Sequence, residues 1–404
     1  MAAVATRNTA IDMLRALTMT LMIFVNDFWK VHGVPQWMLH AAHGVDFMGL
    51  SDFVYPCFLF VVGMSVPYAI ENRYRKGLSA ESTVGHILTR TLSLLIMGAF
   101  LANSESRLPV DFPWYRIGTY WLIAVAGFFM VWNAYPREQS RRQKWIFTLL
   151  KIVGGCGLLF LALTFRSPKG EVFQFRSGIL GGIAWTYLVS AVIYFFTRDN
   201  LRMLSIVWVA MFAVIFLTAP LRVELGGTAI LNFPRPNFLD GLLHTMHIGN
   251  SALLALGGVI LSVATEKMGP RTEVCRVSYG LLASFVCLLL GMLTHRWWIA
   301  AKLGITIPCI FFIYATATCA YTLLRTLCRH NLTHWYAVIR PAGTATLSTY
   351  MLPYVFYGFA DITGVVLPDW LTHGPMGLVN CFCFALIVIA IAGIMERLHI
   401  KLKV

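Results

Sequence analysis

Apolar runs of about twenty residues recur from one end of this chain to the other, and nothing else in the sequence restricts its fold as much. A helix needs that length to cross the hydrocarbon core of a bilayer. No water is present there to satisfy peptide groups, so each crossing segment must bond its own backbone, and helices become the default. A transmembrane β-barrel would alternate polar and apolar residues over segments of about ten, and no such alternation occurs. Composition agrees: 58% of the residues are hydrophobic and 12% charged, against roughly 25% charged in soluble domains. The expected fold class is all-α, a polytopic membrane protein of about 11–12 transmembrane helices.

Twelve spans are expected, near residues 11–28, 50–70, 84–102, 116–133, 144–166, 178–197, 201–222, 247–268, 274–294, 303–325, 344–362 and 376–396. Of these, 116–133 and 344–362 carry the most polar and aromatic residues. The first run has no small-residue cleavage site after it, so it is expected to stay as a membrane helix rather than leave as a signal peptide. The connections are short and support no separate soluble domain, which makes 1–404 one transmembrane domain. The nine cysteines form no C-x-x-C pair and read as small buried hydrophobes rather than as a zinc or redox site.

A net charge of +14 raises the question of nucleic acid. The basic residues, however, sit in short connections between apolar runs, and no basic domain is left to bind DNA or RNA. With the N-terminus inside, Lys and Arg favour the inner connections by roughly two to one, as the positive-inside rule requires. The segment 137–144 (REQSRRQK) is the strongest marker. The expected localisation is therefore a cell (inner) membrane, multi-pass, with both termini cytoplasmic.

Titratable and amide groups concentrate in the stretch from Ile23 to Phe60. An apolar run closes in Asn26 and Asp27, a connection carrying His32, His40 and His43 follows, and a second run opens at Asp52. In the topology above, this stretch faces the extracytoplasmic side. An amide such as Asn26 either caps the helix end or orients a reacting carbonyl. Asp27 is suited to fixing a histidine tautomer or neutralising an acceptor amine, and Asp52 to capping the second helix. His40 and His43 lack a third ligand for a metal, so no metal is expected. An imidazole can serve as general base or transient acyl acceptor around neutral pH. His244, His247 and His295 fall on the same side and are expected to compete for the same cavity. Asp12 and Arg15, spaced i,i+3 in the first span, can pair on one helix face or hold an anionic ligand.

Taken in order, Arg7, Asp12, Arg15, Val25 and Asn26, His40 and Ala41, and the run from Asp52 through Gly63 resemble the opening pattern of the heparan-α-glucosaminide N-acetyltransferase family. Its members are polytopic transmembrane acyltransferases. The resemblance is strongest over 7–63, with weaker echoes at 178–196, 249–262 and 341–354. It departs from the pattern at Ala16, Gly181, Gly182 and Ala345, and 116–166 reads as an added helical hairpin. The resemblance implies acetyl-CoA as cytoplasmic co-substrate and an extracytoplasmic amino sugar or glycan as acceptor. It also implies His40 as the catalytic histidine and Asn26 as its partner; the clustering of polar groups puts Asp27, His43 and Asp52 in support, and the depth of Asp12 and Arg15 suits them to the co-substrate. Membrane lipid is the expected surrounding, and a homodimer is allowed. The rival reading is a proton-coupled transporter or exporter of a small polar solute, which membrane-depth charges and twelve spans suit equally well.

Overall fold

A computed structural model of the chain describes residues 8–105, 116–136, 138–166, 170–222, 224, 226–231, 248–268 and 273–404. Arg7, His244 and His247 lie outside them. The regular structure of the described residues is helical, with no strand beyond two isolated bridges. The helices are α1 (Thr9–Asn26), α2 (Leu50–Arg75), α3 (Ala80–Glu105), α4 (Ile117–Trp132), α5 (Arg141–Thr164), α6 (Gly178–Thr197) and α7 (Leu201–Thr218). After them come α8 (Ile248–Lys267), α9 (Glu273–Thr294), α10 (Ile307–Arg329), α11 (Tyr336–Thr344), α12 (Thr346–Thr363) and α13 (Gly374–Arg397).

Ten of the described helices are long and apolar enough to cross a membrane. The two expected spans that fall short are 116–133 and 344–362. Helix α4 has 16 residues, and α12 is separated from α11 by a break at Ala345, inside the expected span 344–362. The multi-pass helical class is borne out.

Two compact units divide the chain. The first comprises Met1–Thr18, Pro35–Thr91 and Gly182–Tyr336, and the second Met19–Val34, Leu92–Gly181 and Ala337–Val404. In the first unit α2 and α8 pack backbone to backbone. A Cβ at Gly63 would collide with the Ala255 carbonyl, and one at Gly258 with the Phe60 carbonyl. Such small-residue contacts are how membrane helices gain van der Waals attraction where lipid offers no hydrophobic drive. The Ser262 hydroxyl seals the pair by donating to the Met64 carbonyl at 2.9 Å. Helices α9 and α10 form an antiparallel hairpin, where Ser284 donates to the Ala315 carbonyl at 2.7 Å.

In the second unit α4 and α5 pair in the same way, with Gly127 and Gly154 at their contact. Helix α5 starts at a capping box: the Ser140 hydroxyl accepts from the Gln143 N–H at 3.3 Å, and Gln143 Oε1 accepts from the Ser140 N–H at 2.9 Å. Helix α12 packs on α4, where the Asp361 carboxylate accepts the Gly118 N–H at 3.0 Å. Gly364, at a φ of +68°, ends α12 in a conformation that only glycine adopts without strain.

Candidate functional site

The first turn of α2 organises the polar end of the first unit. Gly49 precedes it in an extended conformation, and a Cβ there would collide with the Leu39 carbonyl. Glycine thus lets the stretch 36–41 lie directly on the helix start. The Ser51 hydroxyl donates to the Met38 carbonyl. Asp52 was expected as the N-cap, but the helix opens at Leu50, so Asp52 is its third residue and reaches back. Its Oδ2 accepts the N–H groups of Gly49 at 3.1 Å and Ala41 at 2.9 Å, and its Oδ1 meets His40 Nδ1 at 2.8 Å. A carboxylate there also meets the partial positive charge of the helix N-terminus.

Asp52 is 2% exposed, whereas the His40 ring is 46% exposed. An ionised carboxylate only accepts, so the proton between the two sits on Nδ1 and the Nε2 lone pair is left available. This is the arrangement of a base with its orienting group. Lys302, just before α10, brings Nζ to 3.4 Å from His40 Nδ1 and lies 5.9 Å from the centre of the Tyr55 ring. Both nitrogens are donors in this tautomer, so Lys302 acts here as a nearby charge and not as a hydrogen-bond partner. Burial pushes the Lys302 ammonium below its ordinary pKa, while the Asp52 charge pulls it back up.

A second histidine–aspartate pair stands in the same unit. Asp46 accepts from His295 Nε2 at 2.7 Å and from the Ala300 N–H at 2.8 Å, and it is paired with Arg222 at 2.6 Å. Burial raises the Asp46 pKa, but the bonds from Ala300 and His295 and the His295 and Arg222 charges outweigh it, so the group sits below the ordinary carboxylate value. Asp46 thereby ties the loop that carries His40 to the segment that carries Lys302.

The remaining expected residues separate. Asp12 and Arg15 pair at 3.1 Å, and Arg15 also donates to the Ser65 hydroxyl at 2.6 Å, within the first unit. His43 is exposed. Asn26 and Asp27 belong to the second unit. Asp27 was expected to serve a histidine or an amine. It is instead buried and held by Lys30 at 2.8 Å and the Tyr357 hydroxyl at 2.8 Å, and Lys30 also lies 3.9 Å from the centre of the Tyr357 ring. Asn26 is exposed and lines a cleft of about 400 Å³ with Trp29, Trp121, Tyr350, Tyr354 and Tyr357. The Trp121 indole nitrogen is buried there without a hydrogen-bond partner. His32 stays in this unit, its backbone bonded to Thr372 and Gly374 at 2.8 Å each.

Residues 7–106, which include His40, Asp52 and Asn26, match the family model described as heparan-alpha-glucosaminide N-acetyltransferase, catalytic. Over this segment the chain is similar to that family. It is 26% identical over 141 residues to the mouse heparan-alpha-glucosaminide N-acetyltransferase, covering 33% of this chain and 21% of the mouse protein. The human protein of the same name is 25% identical over 134 residues, 31% of this chain and 20% of the human one. The matched segment thus spans about a fifth of the length of these curated relatives.

The sequence singled out His40 and Asp52, both within the N-acetyltransferase-like segment, but missed Lys302 beside His40 and Asp46, which ties their two segments together. Lys302 is one of few lysines in the connections expected outside the membrane, and that isolation was its only sequence signal. Asp46 sits three residues from His43 and carries no periodic or motif signal at all.

Proposed function

We propose that the protein is a membrane acetyltransferase that moves an acetyl group from cytoplasmic acetyl-CoA to the amine of an extracytoplasmic amino sugar or glycan. The observation that carries this reading is the bond between His40 and buried Asp52 inside the segment that matches the catalytic family model. His40 Nε2 takes the proton of the attacking amine as nitrogen bonds to the acetyl carbon. The carbon–sulfur bond then breaks, and the proton passes to the departing thiolate. Asp52 keeps the ring in the tautomer this requires, and Lys302 supplies positive charge near the oxygen on which negative charge develops. The resemblance assigns Asn26 to the same reaction, as the amide that orients the thioester carbonyl.

A cavity of about 400 Å³ in the first unit suits the co-substrate. Its walls are largely apolar, with Phe60, Gly257 and Tyr314 in the middle and Arg276 and Arg325 toward the helix ends opposite His40. Phosphates would meet the arginines, and an apolar arm would extend along α2. Phe60 stands roughly 12 Å from Asp52 at 1.5 Å per helical residue.

The test is transfer of labelled acetyl from acetyl-CoA to glucosamine-terminated acceptors by the protein in sealed vesicles. His40→Ala is expected to lose about 10²–10⁴-fold of the rate while eluting as the same folded species. Full activity in that variant would sink the proposal.

A further inference from the structure

The second unit holds a cationic cavity that neither the acetyltransferase reading nor its residues use. It has a volume of about 590 Å³ and is lined by the loop between α4 and α5, the first turns of α5 and the end of the chain. Lys144, Lys151 and Lys403 converge on it beside Asn133, Tyr135 and Gln139, and no carboxylate occurs among its described lining residues. The nearby Lys401 is not part of the lining and has its own partner, Glu396, at 2.8 Å.

The walls of this cavity are held in place, because residues 401–403 are tied to the rest of the unit four times. The Lys401 N–H donates to Asn133 Oδ1 at 2.8 Å and the Ala134 N–H to the Lys401 carbonyl at 2.8 Å. The Lys403 N–H donates to the Trp132 carbonyl at 2.9 Å, and the N–H of buried Leu402 to the Ser348 hydroxyl at 2.9 Å. Tyr135 forms a fixed wall: its hydroxyl donates to the Met130 carbonyl at 2.7 Å and its ring centre lies 4.6 Å from that of Phe147.

The placement of Lys151 indicates what the cavity receives. Seven residues after Lys144, it lies on the same face of α5 and roughly 10 Å further along the axis. Its neighbours Trp145, Ile146, Leu149, Ile152 and Val153 are exposed and apolar, as a lipid-facing helix requires. A lysine at that depth extends its ammonium toward the polar boundary, and Lys151 does so along the Tyr135 ring, 5.2 Å from its centre. A three-lysine cavity therefore adjoins an apolar helix face. A phosphate carrying acyl chains satisfies both, whereas a soluble phosphate satisfies only the first.

We propose that Lys144, Lys151 and Lys403 form a binding site for the phosphate headgroup of an anionic phospholipid, with its chains along α5. Basic pockets at membrane boundaries recognise such headgroups, with each lysine near the surface contributing about a factor of five. The site is independent of the acetyltransferase reading and stands or falls separately from it.

The experiment uses the delipidated protein in nanodiscs of phosphatidylcholine mixed with phosphatidylglycerol, with the lipid retained on extraction counted by native mass spectrometry. Wild-type protein is expected to enrich phosphatidylglycerol on the order of 100-fold over phosphatidylcholine. The triple variant K144Q/K151Q/K403Q is expected to approach parity, and the triple Lys→Arg variant to keep the enrichment. Lipid-free unfolding temperatures should agree among all three proteins, because the lysines are exposed. Lys151→Gln alone provides the test should the triple variant misfold, with an expected loss of about fivefold. Inorganic pyrophosphate at millimolar concentration should compete with the retained lipid. Enrichment that survives the glutamine variants, or its absence in wild type, would overturn the site. Pyrophosphate binding without lipid enrichment would overturn the lipid as its occupant.

Discussion

Among its described residues the first unit contains two histidine–aspartate pairs, and their difference separates a candidate for chemistry from a structural clamp. In one, Asp52 is 2% exposed, bonds two backbone N–H groups and meets His40 through Nδ1. In the other, Asp46 is 29% exposed, is paired with Arg222 and meets His295 through Nε2. The pairing distances are almost equal, 2.8 and 2.7 Å. Distance therefore does not distinguish them. What does is the ring nitrogen left over and the charge already present. His40 keeps Nε2, the atom farthest from its backbone, for a substrate. His295 has spent that atom, and the Asp46 charge is answered by an arginine.

The contrast is open to attack, most strongly at Asp52. Asp52→Asn should cut acetyl transfer by about 10³-fold, because the amide no longer enforces the Nδ1–H tautomer, whereas Asp46→Asn should leave kcat within about tenfold. Equal losses in the two variants would erase the distinction. Lys302→Met should lower kcat by about 10–100-fold with little change in KM for acetyl-CoA, as expected for a charge that acts mainly in the transition state. A change confined to KM would make it a binding residue instead.

Asp46→Ala should act on stability, costing about 1–3 kcal/mol in detergent unfolding, since Arg222 and the Ala300 N–H lose their acceptor. The smallest effect is its pH dependence. Asp46 has a folded-state pKa below the ordinary 3.8, so the folded state binds its proton less readily than the unfolded one. The stabilisation is complete above about pH 5 and disappears as pH falls through the depressed value. Unfolding followed from pH 6 to pH 3 should be less steep in Asp46→Asn than in wild type.

Much of the fold was legible because a bilayer imposes one rule on every segment: its backbone must bond itself. Of the two shortfalls, α4 is apolar but only 16 residues long, and α12 begins after a break at Ala345 inside the expected span. The site was legible to the extent that it is local. His40 and Asp52 are twelve residues apart and joined by one turn, so their clustering in sequence survives folding. Lys302 reaches them from far along the chain, and no periodicity connects a loop lysine to a histidine at that separation. Asp27 was less legible for a complementary reason. Its density of polar neighbours was real, but Lys30, three residues on, had already taken its charge.

The contact of Gly63 with Ala255 and of Gly258 with Phe60 has a temporal side. A ribosome releases α2 long before α8, with roughly 190 residues between the two glycines. At 5–20 residues per second, α2 spends on the order of ten to forty seconds in the membrane before its partner exists. Throughout that interval the helix that carries Asp52 has a bare glycine groove where α8 will later sit. Biogenesis of the site therefore waits on the middle of the chain, and any factor that shields a half-made α2 has this interval in which to act.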